Sequence, residues 1–371
     1  MSTHVVVLGA GYAGMAAAKR LARENIAVTV VNPRAEFVER IRLHQYVAGN
    51  HPAVQPLSEV LSPRTELLVG VAQSIDAGQR SVRLGDGSEL DYDYLIYAVG
   101  SGNREAVIPG ANDHAVGLDT WEGAVNTRKR LLQLPSGATV SVVGGGLSGI
   151  ETAAELAGLG GFTVRLVTAG QIGTSLSEPG RAKVRAFLAD AGVETVEQAA
   201  VIDIRADKLE LTDGCVLDSD LTIVTTTIGV PDLAVRSGLR TDARGALLVD
   251  ERLVSASSPA IIGAGDSVRL PQPVRMSCQA AIPSGIHAAQ TVLALRDGRH
   301  PKPIRRKFVS QAASLGRHDA LIQLGTLDDT PTRLAVTGRV AALVKEAICR
   351  GSLTFGKVGP LHYSWTWRPG N

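Results

Sequence analysis

Cysteine is nearly missing from this chain. Its three cysteines, Cys215, Cys278 and Cys349, lie far apart, and no C-x-x-C occurs. That spacing argues against a disulfide scaffold, a local zinc site or a dithiol pair. A reducing cytoplasm is the expected compartment. Charge of one sign is also lacking: 38 Lys and Arg face 36 Asp and Glu. Such a balance offers no broad surface for a polyanion, so no nucleic-acid partner is expected. No run approaches the ~20 apolar residues of a membrane-spanning helix. The apolar run nearest the start has no basic leader and no cleavage-like tail, which argues against a signal peptide. Aromatic residues make up only 4% of the chain, whereas glycine occurs 40 times. That composition suits many strand-to-helix turns, in a chain long enough for two or three domains.

The glycines fall in a pattern. The run from Val5 to Gly9 reads as a buried parallel strand, and Met15 to Arg23 reads as a helix. Between them Gly9, Gly11 and Gly14 spell G-x-G-x-x-G, with Ala13 inside the motif. Gly9 makes the tight turn, Gly11 lets a pyrophosphate reach the backbone, and Gly14 lets helix pack on strand. The helix N-terminus then offers unpaired N–H groups to the phosphates. The same pattern returns later. Thr139 to Val143 reads as a strand, Gly144, Gly146 and Gly149 repeat the motif, and Ile150 to Leu159 reads as a helix. An internal duplication of this kind points to two dinucleotides on one chain, most economically FAD and NAD(P)H.

The strand after each motif departs from the simple rule. An Asp or Glu about 20 residues past the glycines usually binds ribose hydroxyls. In the first half the strand Val28 to Val31 ends at Asn32, with Arg34 close enough in sequence to reach a phosphate. The alternative is that Asn-Pro merely starts a turn. In the second half the strand from Phe162 to Val167 ends at Thr168, again without an acid. Repulsion of a 2′-phosphate is then absent, and Arg181 is the one candidate to clamp it. NADH and NADPH stay undistinguished.

Other stretches carry weaker signals. Phe37 to Gly49 holds Arg40, Arg42 and His44, and on a helix Arg40 and His44 share a face. This is either a solvated basic face or a cluster that stabilises negative charge on a reduced flavin. Glu66 to Ala72 reads as a strand, Ser81 to Leu84 with Asp86-Gly87 as a hairpin, and DYDYLIYAVGS as a strand ending in small residues. Leu221 to Val230 repeats that strand-to-glycine ending, and Leu247 to Val249 is a short strand. Ala260 to Asp266 ends in Gly-x-Gly-Asp, where an Asp can accept from a ribityl hydroxyl. Met276 to Leu295 is helical, with Pro283 either kinking it or starting a second helix. Arg305, Arg306 and Lys307 read as a solvated edge. Leu334 to Cys349 reads as one amphipathic helix with Val336, Val340, Leu343, Val344 and Ala347 on its packed side. A membrane-surface role for that helix is a minority reading, since Arg339, Lys345 and Arg350 make a modest anchor. Trp365 and Trp367 cover a cofactor or seal an interface.

GAGYAG, YLIYAVGS, VVGGGLSGIE, TTIGVP and IIGAGDS occur in that order over about residues 4 to 300. The chain thereby resembles the FAD-dependent pyridine nucleotide oxidoreductases, in their type II NADH dehydrogenase-like and apoptosis-inducing-factor-like branch. The resemblance implies an α/β fold of the glutathione-reductase-like type. Two Rossmann-like dinucleotide-binding domains would be joined by a small C-terminal α+β domain. The implied division is residues 1–112 with 233–300 for FAD, 113–232 for NAD(P)H and 301–371 for an interface domain. It implies that Gly9, Gly11, Ala13, Gly14, Asn32 and Arg34 hold the FAD nucleotide and that Val71 lies near the adenine. Ala98 and Gly100 would sit on the crossover, with Gly265 and Asp266 at the ribityl chain. Gly146, Ser148, Glu151 and Thr168 would form the nicotinamide side, closed by Gly229 and Val230. Arg42, His44, Cys278 and Gln279 would tune the flavin. The disulfide reductases carry a Cys pair soon after the second strand, where Arg42 to Ala48 has none, so thiol–disulfide exchange is not expected and a buried structural role is expected for Cys278. Where the quinone-reducing branch carries a paired Gln, Pro283 and Ser284 stand here.

The expected activity is hydride transfer from NAD(P)H to FAD and on to a small acceptor such as a quinone. Two alternatives are a flavin-dependent tailoring dehydrogenase or oxidase of an organic substrate, and a redox-sensing flavoprotein with little turnover. The expected partners are a small-molecule acceptor and, through the C-terminal domain, a second copy of the chain.

Overall fold

The computed structural model describes residues 3–24, 26–103, 108–226, 228–305, 308 and 310–354. Two parallel five-stranded sheets dominate it. The first has the order Ile261–Gly263, Tyr94–Tyr97, His4–Leu8, Ala27–Asn32, Thr65–Val69. The second has the order Ala115–Gly117, Leu221–Val224, Thr139–Val143, Thr163–Val167, Glu194–Val196. Each sheet puts its glycine-motif strand in the centre. Strand order reverses at that strand, so a crevice opens beyond its carboxyl end. Val5, Val6 and Val7 have no exposed surface, as expected for a central strand covered on both faces.

The helix after each motif runs Tyr12–Leu21 in the first half and Leu147–Leu159 in the second. The two sheets are joined where Gly102–Asn103 pairs antiparallel with Ile228–Gly229. A three-stranded antiparallel sheet follows, Ser310–Leu315, Asp319–Gly325 and Pro331–Val336, and then the helix Arg339–Thr354. Cys215, Cys278 and Cys349 are all free thiols.

Three local expectations change. The stretch from Leu334 is not helical: it finishes the strand Pro331–Val336, and the helix begins at Arg339. The side expected to pack faces outward, with Val340 70% and Leu343 71% exposed. Ala341, Cys349 and Ser352 face inward instead. The docked face follows the i, i+4 series Ala341, Lys345, Cys349, because Lys345 has a buried partner that a hydropathy pattern does not show. Residues 37–49 do not form one helix. The strand Glu36–Val38, a 3-10 turn Arg40–Arg42 and the short helix Leu43–Val47 follow one another.

Pro283 does not break its helix. Cys278–Arg296 is continuous, and the Ser277 hydroxyl caps it by accepting from the Ala280 N–H at 3.2 Å. Lacking an N–H, Pro283 leaves the Gln279 carbonyl without its helical donor. The tail with Trp365 and Trp367, and Arg306 and Lys307, lie outside the described residues.

Candidate functional site

Both glycine motifs form the same cradle. Gly9 has φ +94° and Gly144 φ +128°, conformations that favour glycine. A Cβ on Gly14 would overlap the Gly9 carbonyl oxygen, and one on Gly149 would overlap that of Gly144. The middle glycines behave oppositely. A Cβ on Gly11 or Gly146 would meet nothing within 4 Å. Each of these two glycines is the N-cap of its helix and supplies no side-chain cap. The backbone N–H groups of that first turn are therefore free to take phosphate oxygens. The outer glycines build the cradle and the middle one leaves it open.

A cavity of about 450 Å³ starts at the first cradle. Gly11, Ala13, Ala98, Gly100, Gly265 and Asp266 line its near part. Cys278 and Gln279 come next, and His44, Ser148 and Glu151 line the part that reaches the second half. Arg40 ties these parts together. Its guanidinium donates to the Ser101 carbonyl at 2.7 Å, the Ser101 hydroxyl at 2.8 Å and the Asp119 carbonyl at 2.6 Å. The Ser101 hydroxyl donates to Asp266 at 2.9 Å. Burial pushes the Asp266 carboxyl above its ordinary value, against the Ser101 hydroxyl and Arg40.

The remaining sequence candidates lie outside the cavity wall. Asn32 is buried and holds the turn itself. Its Oδ1 accepts from the Ala10 N–H at 3.0 Å, and its Nδ2 donates to the Arg34 carbonyl at 2.7 Å. Arg34 pairs with Glu122. Val71 is 56% exposed. Thr168 packs over Gly145, where a Cβ would stand 2.9 Å from the Thr168 Cβ. Arg181 pairs with Glu178 and donates to the Leu176 carbonyl at 3.0 Å. Gly229 pairs with Gly102 at the inter-sheet crossing.

Arg42 is 3% exposed but faces away from the cavity. It binds Glu39 at 3.1 Å, Gln45 at 2.9 Å, and both carboxylate oxygens of Glu346 at 2.9 and 3.0 Å. It therefore pins the C-terminal helix to the first half of the chain.

The C-terminal helix brings in a residue that the sequence offered only as one of three cations of a modest membrane anchor. Lys345 lines the cavity, with its Nζ 3.1 Å from Glu151 and 2.9 Å from the Ala312 carbonyl. Glu151 also accepts from the Ser314 N–H at 2.9 Å and lies 3.8 Å from His44 Nδ1. Burial alone would raise the Glu151 carboxyl. Lys345 and His44 outweigh it and hold the carboxyl below its ordinary value. Burial pulls His44 below its ordinary value against the pull of Glu151, so the imidazole is neutral at pH 7. Burial also works against the Lys345 ammonium, but Glu151 wins and raises it. The cavity thus holds one buried ion pair beside a neutral imidazole. No local sequence signal marks Lys345, because its partner Glu151 lies far away in the chain.

Cys278 and Cys349 also line the cavity. Burial pushes the Cys278 thiol up to about 11 and raises Cys349 as well, so both are protonated at neutral pH.

Comparison with known proteins gives a consistent result. The family model described as pyridine nucleotide-disulphide oxidoreductase matches residues 3–285. An NADH dehydrogenase-like protein of Mycobacterium tuberculosis is 31% identical over 325 residues, covering 78% of this chain and 80% of that protein. A probable ferredoxin reductase of Castellaniella defragrans is 30% identical over 325 residues, covering 81% of this chain and 77% of that protein. The sulfide:quinone oxidoreductase of Aquifex aeolicus has the same fold, with a TM-score of 0.84 at 19% identity over 98% of this chain and 94% of that one.

Proposed function

The chain belongs to the pyridine nucleotide-disulphide oxidoreductase family as an FAD-dependent NAD(P)H oxidoreductase, and we propose that its electron acceptor is a small quinone-type molecule. The residues present fit FAD. The open Gly11 cradle would hold the pyrophosphate and Asp266 the ribityl chain, with Cys278 and Gln279 beside the ring. When bound, FAD supplies the two-electron carrier between donor and acceptor. The second cradle, at Gly146, would hold NAD(P)H with Ser148 and Glu151 near the nicotinamide. Thr168 would neither repel nor clamp a 2′-phosphate, so this position does not choose between NADH and NADPH. We divide the chain accordingly into residues 1–112 with 233–300, 113–232 and 301–371.

One observation carries the acceptor reading. Besides the Glu151–Lys345 pair, the wall of the large cavity carries many apolar side chains, among them Leu43, Leu118, Leu147, Met276 and Ile348. A planar apolar molecule fits such a lining, with Lys345 and Glu151 as the few polar groups that orient it. The ammonium of Lys345 is placed to stabilise negative charge on an acceptor oxygen, as a preorganised donor in a dry site does. Among the described residues no helix is long and apolar enough to cross a membrane. The exposed Val340 and Leu343 face is where a second copy of the chain would dock.

Anaerobic titration of the holoprotein with NADH and then NADPH, followed at the visible flavin band, tests the donor half. Reoxidation by a naphthoquinone and by a ferredoxin then tests the acceptor. Bleaching by nicotinamide with fast reoxidation by the quinone alone is the expected result. Preference for the ferredoxin would sink the quinone reading. A band that stays yellow with both nucleotides would move the search to organic substrates that reduce the flavin directly.

A further inference from the structure

The helix Leu147–Leu159 carries a second buried acid, Glu155, that the proposed reaction does not yet use. It is 3% exposed. It sits one turn beyond Glu151, so the two carboxyls lie on one face with Cβ atoms about 5–6 Å apart. Glu155 does not reach the large cavity. It forms the wall of a separate pocket of about 180 Å³ with Asn50, Gly158, Leu159, Gly316 and Arg317. Arg317 is exposed and Leu159 is 42% exposed, so this pocket borders solvent.

The same two neighbouring elements touch both acids. The short helix Leu43–Val47 and the loop after it supply His44 to Glu151 and Asn50 to Glu155. The strand Ser310–Leu315 and its turn supply the Ser314 N–H to Glu151, and Gly316 and Arg317 to the Glu155 pocket. Along this seam two buried polar atoms have no partner, Glu155 Oε1 and His44 Nε2. Buried polar atoms without partners are uncommon and call for a reason. A hydrogen-bonded path between the acids would satisfy them.

We infer that Glu155 is the outer station of a proton route that runs from the small pocket along this helix face to Glu151. The inference rests on the quinone reading. A quinone takes up two electrons and two protons. NAD(P)H supplies two electrons and one proton as hydride, so one proton per turnover comes from solvent. Bound nucleotide and acceptor close the large cavity to water, and the small pocket opens elsewhere. The proton passes from the Glu155 carboxyl to the Glu151 carboxylate and from there to the acceptor oxygen, and Glu155 reloads from the pocket. The charges leave the resting proton on Glu155 and Glu151 empty, so this transfer runs uphill and is drawn forward by the acceptor oxygen, which consumes the proton as the quinone is reduced. Glu151 faces Lys345 and His44, with Arg42 behind His44, and is held ionised. Glu155 faces Asn50, Arg317 and Glu151, and burial raises it despite the Asn50 hydrogen bond.

Two substitutions test the route. Glu155→Gln keeps the shape and an acceptor for Asn50 but cannot carry a proton. Gly158→Phe fills the pocket from a helix position where a Cβ meets nothing within 4 Å. In both, we expect flavin bleaching by NAD(P)H and reduction of ferricyanide, which takes electrons only, to be unchanged. Naphthoquinone reduction should fall roughly tenfold or more, with a larger solvent deuterium isotope effect. Infrared spectra of the wild type should show the carbonyl stretch of a buried protonated carboxyl, and Glu155→Gln should lose it. Equal rates with quinone and ferricyanide in both variants, or no such band in the wild type, would overturn the route. Failure of NAD(P)H to bleach the wild-type flavin would instead sink the underlying functional reading, and the infrared band still decides the protonation of Glu155.

Discussion

The two glycine-motif helices start from the same backbone and end in different chemistry. Counted from the third glycine, Ala16 and Arg20 of the first helix match Glu151 and Glu155 of the second. Ala16 is buried, and Arg20 pairs with Glu24 at 2.8 Å at the surface. Their surroundings explain the difference. The first helix is covered by Cys278–Arg296, whose Gly285 lies so close that a Cβ there would overlap the Ala13 carbonyl oxygen. That seam has room for small side chains only. The second helix is covered by the short helix Leu43–Val47, which with the loop after it brings His44 and Asn50 to its acids, by the strand Ser310–Leu315, and by the C-terminal helix, which brings Lys345. The helix of one cradle is sealed by close helix packing, and the other couples its cradle to buried charge.

Substitutions can break this comparison or sharpen it. The largest effect is expected from Gly14→Val and Gly149→Val, since each side chain would collide with the backbone of its own turn. Gly14→Val should leave no folded holoprotein, read as loss of bound flavin together with loss of the cooperative melt. Gly149→Val should unfold the second half in the same way. Retention of flavin and an unchanged melt in either would mean that the cradles are looser than their geometry.

Next comes Lys345→Met, which strands the Glu151 carboxylate in a buried site and should cost about 3–5 kcal/mol near neutral pH. The pH dependence has a definite sign. In the wild type the lowered Glu151 contributes stability above its unfolded value, which is lost as pH falls through its folded value. The raised Lys345 contributes below its unfolded value and loses that contribution as pH rises through its folded value. Without Lys345, burial reverses the Glu151 shift, so the variant should regain stability as pH falls, and Glu151→Gln added to it should restore most of the loss. Denaturant melts at acid, neutral and alkaline pH measure this.

Glu151→Gln alone should slow flavin reduction by NAD(P)H roughly tenfold, the effect of about 1.4 kcal/mol on a barrier. An unchanged stopped-flow rate would remove Glu151 from the nicotinamide side. The smallest effect is expected from Thr168→Asp, which supplies the missing acid at the second cradle. It should shift the KM ratio severalfold toward NADH by repelling a 2′-phosphate, and no shift would place the ribose away from Thr168.

Much of this was readable in the residues. The glycine spacing, the strands that flank it and its repetition gave both cradles, because the backbone needs of a pyrophosphate turn are local. Gly265 and Asp266 were readable for the same reason, as a strand followed by a glycine turn. The helix Arg339–Thr354 was misread for an equally physical reason. Its docked side is chosen by one long cation reaching a buried acid 194 positions away, so the apolar side is left outside. Arg42 looked like a group beside the cofactor, yet Glu346 turns it away from the cavity.

The sequence by itself determined the two dinucleotide cradles, the family and the absence of a local cysteine pair, since each depends on residues close together in the chain. Only the tertiary structure decided which side chains meet in the cavity. Lys345 joins Glu151, and Asn50 joins Glu155, across long separations because the three-stranded sheet and the last helix fold back over the second motif. Buried charge tolerates that arrangement only when each partner arrives, and no local pattern in the sequence records the meeting.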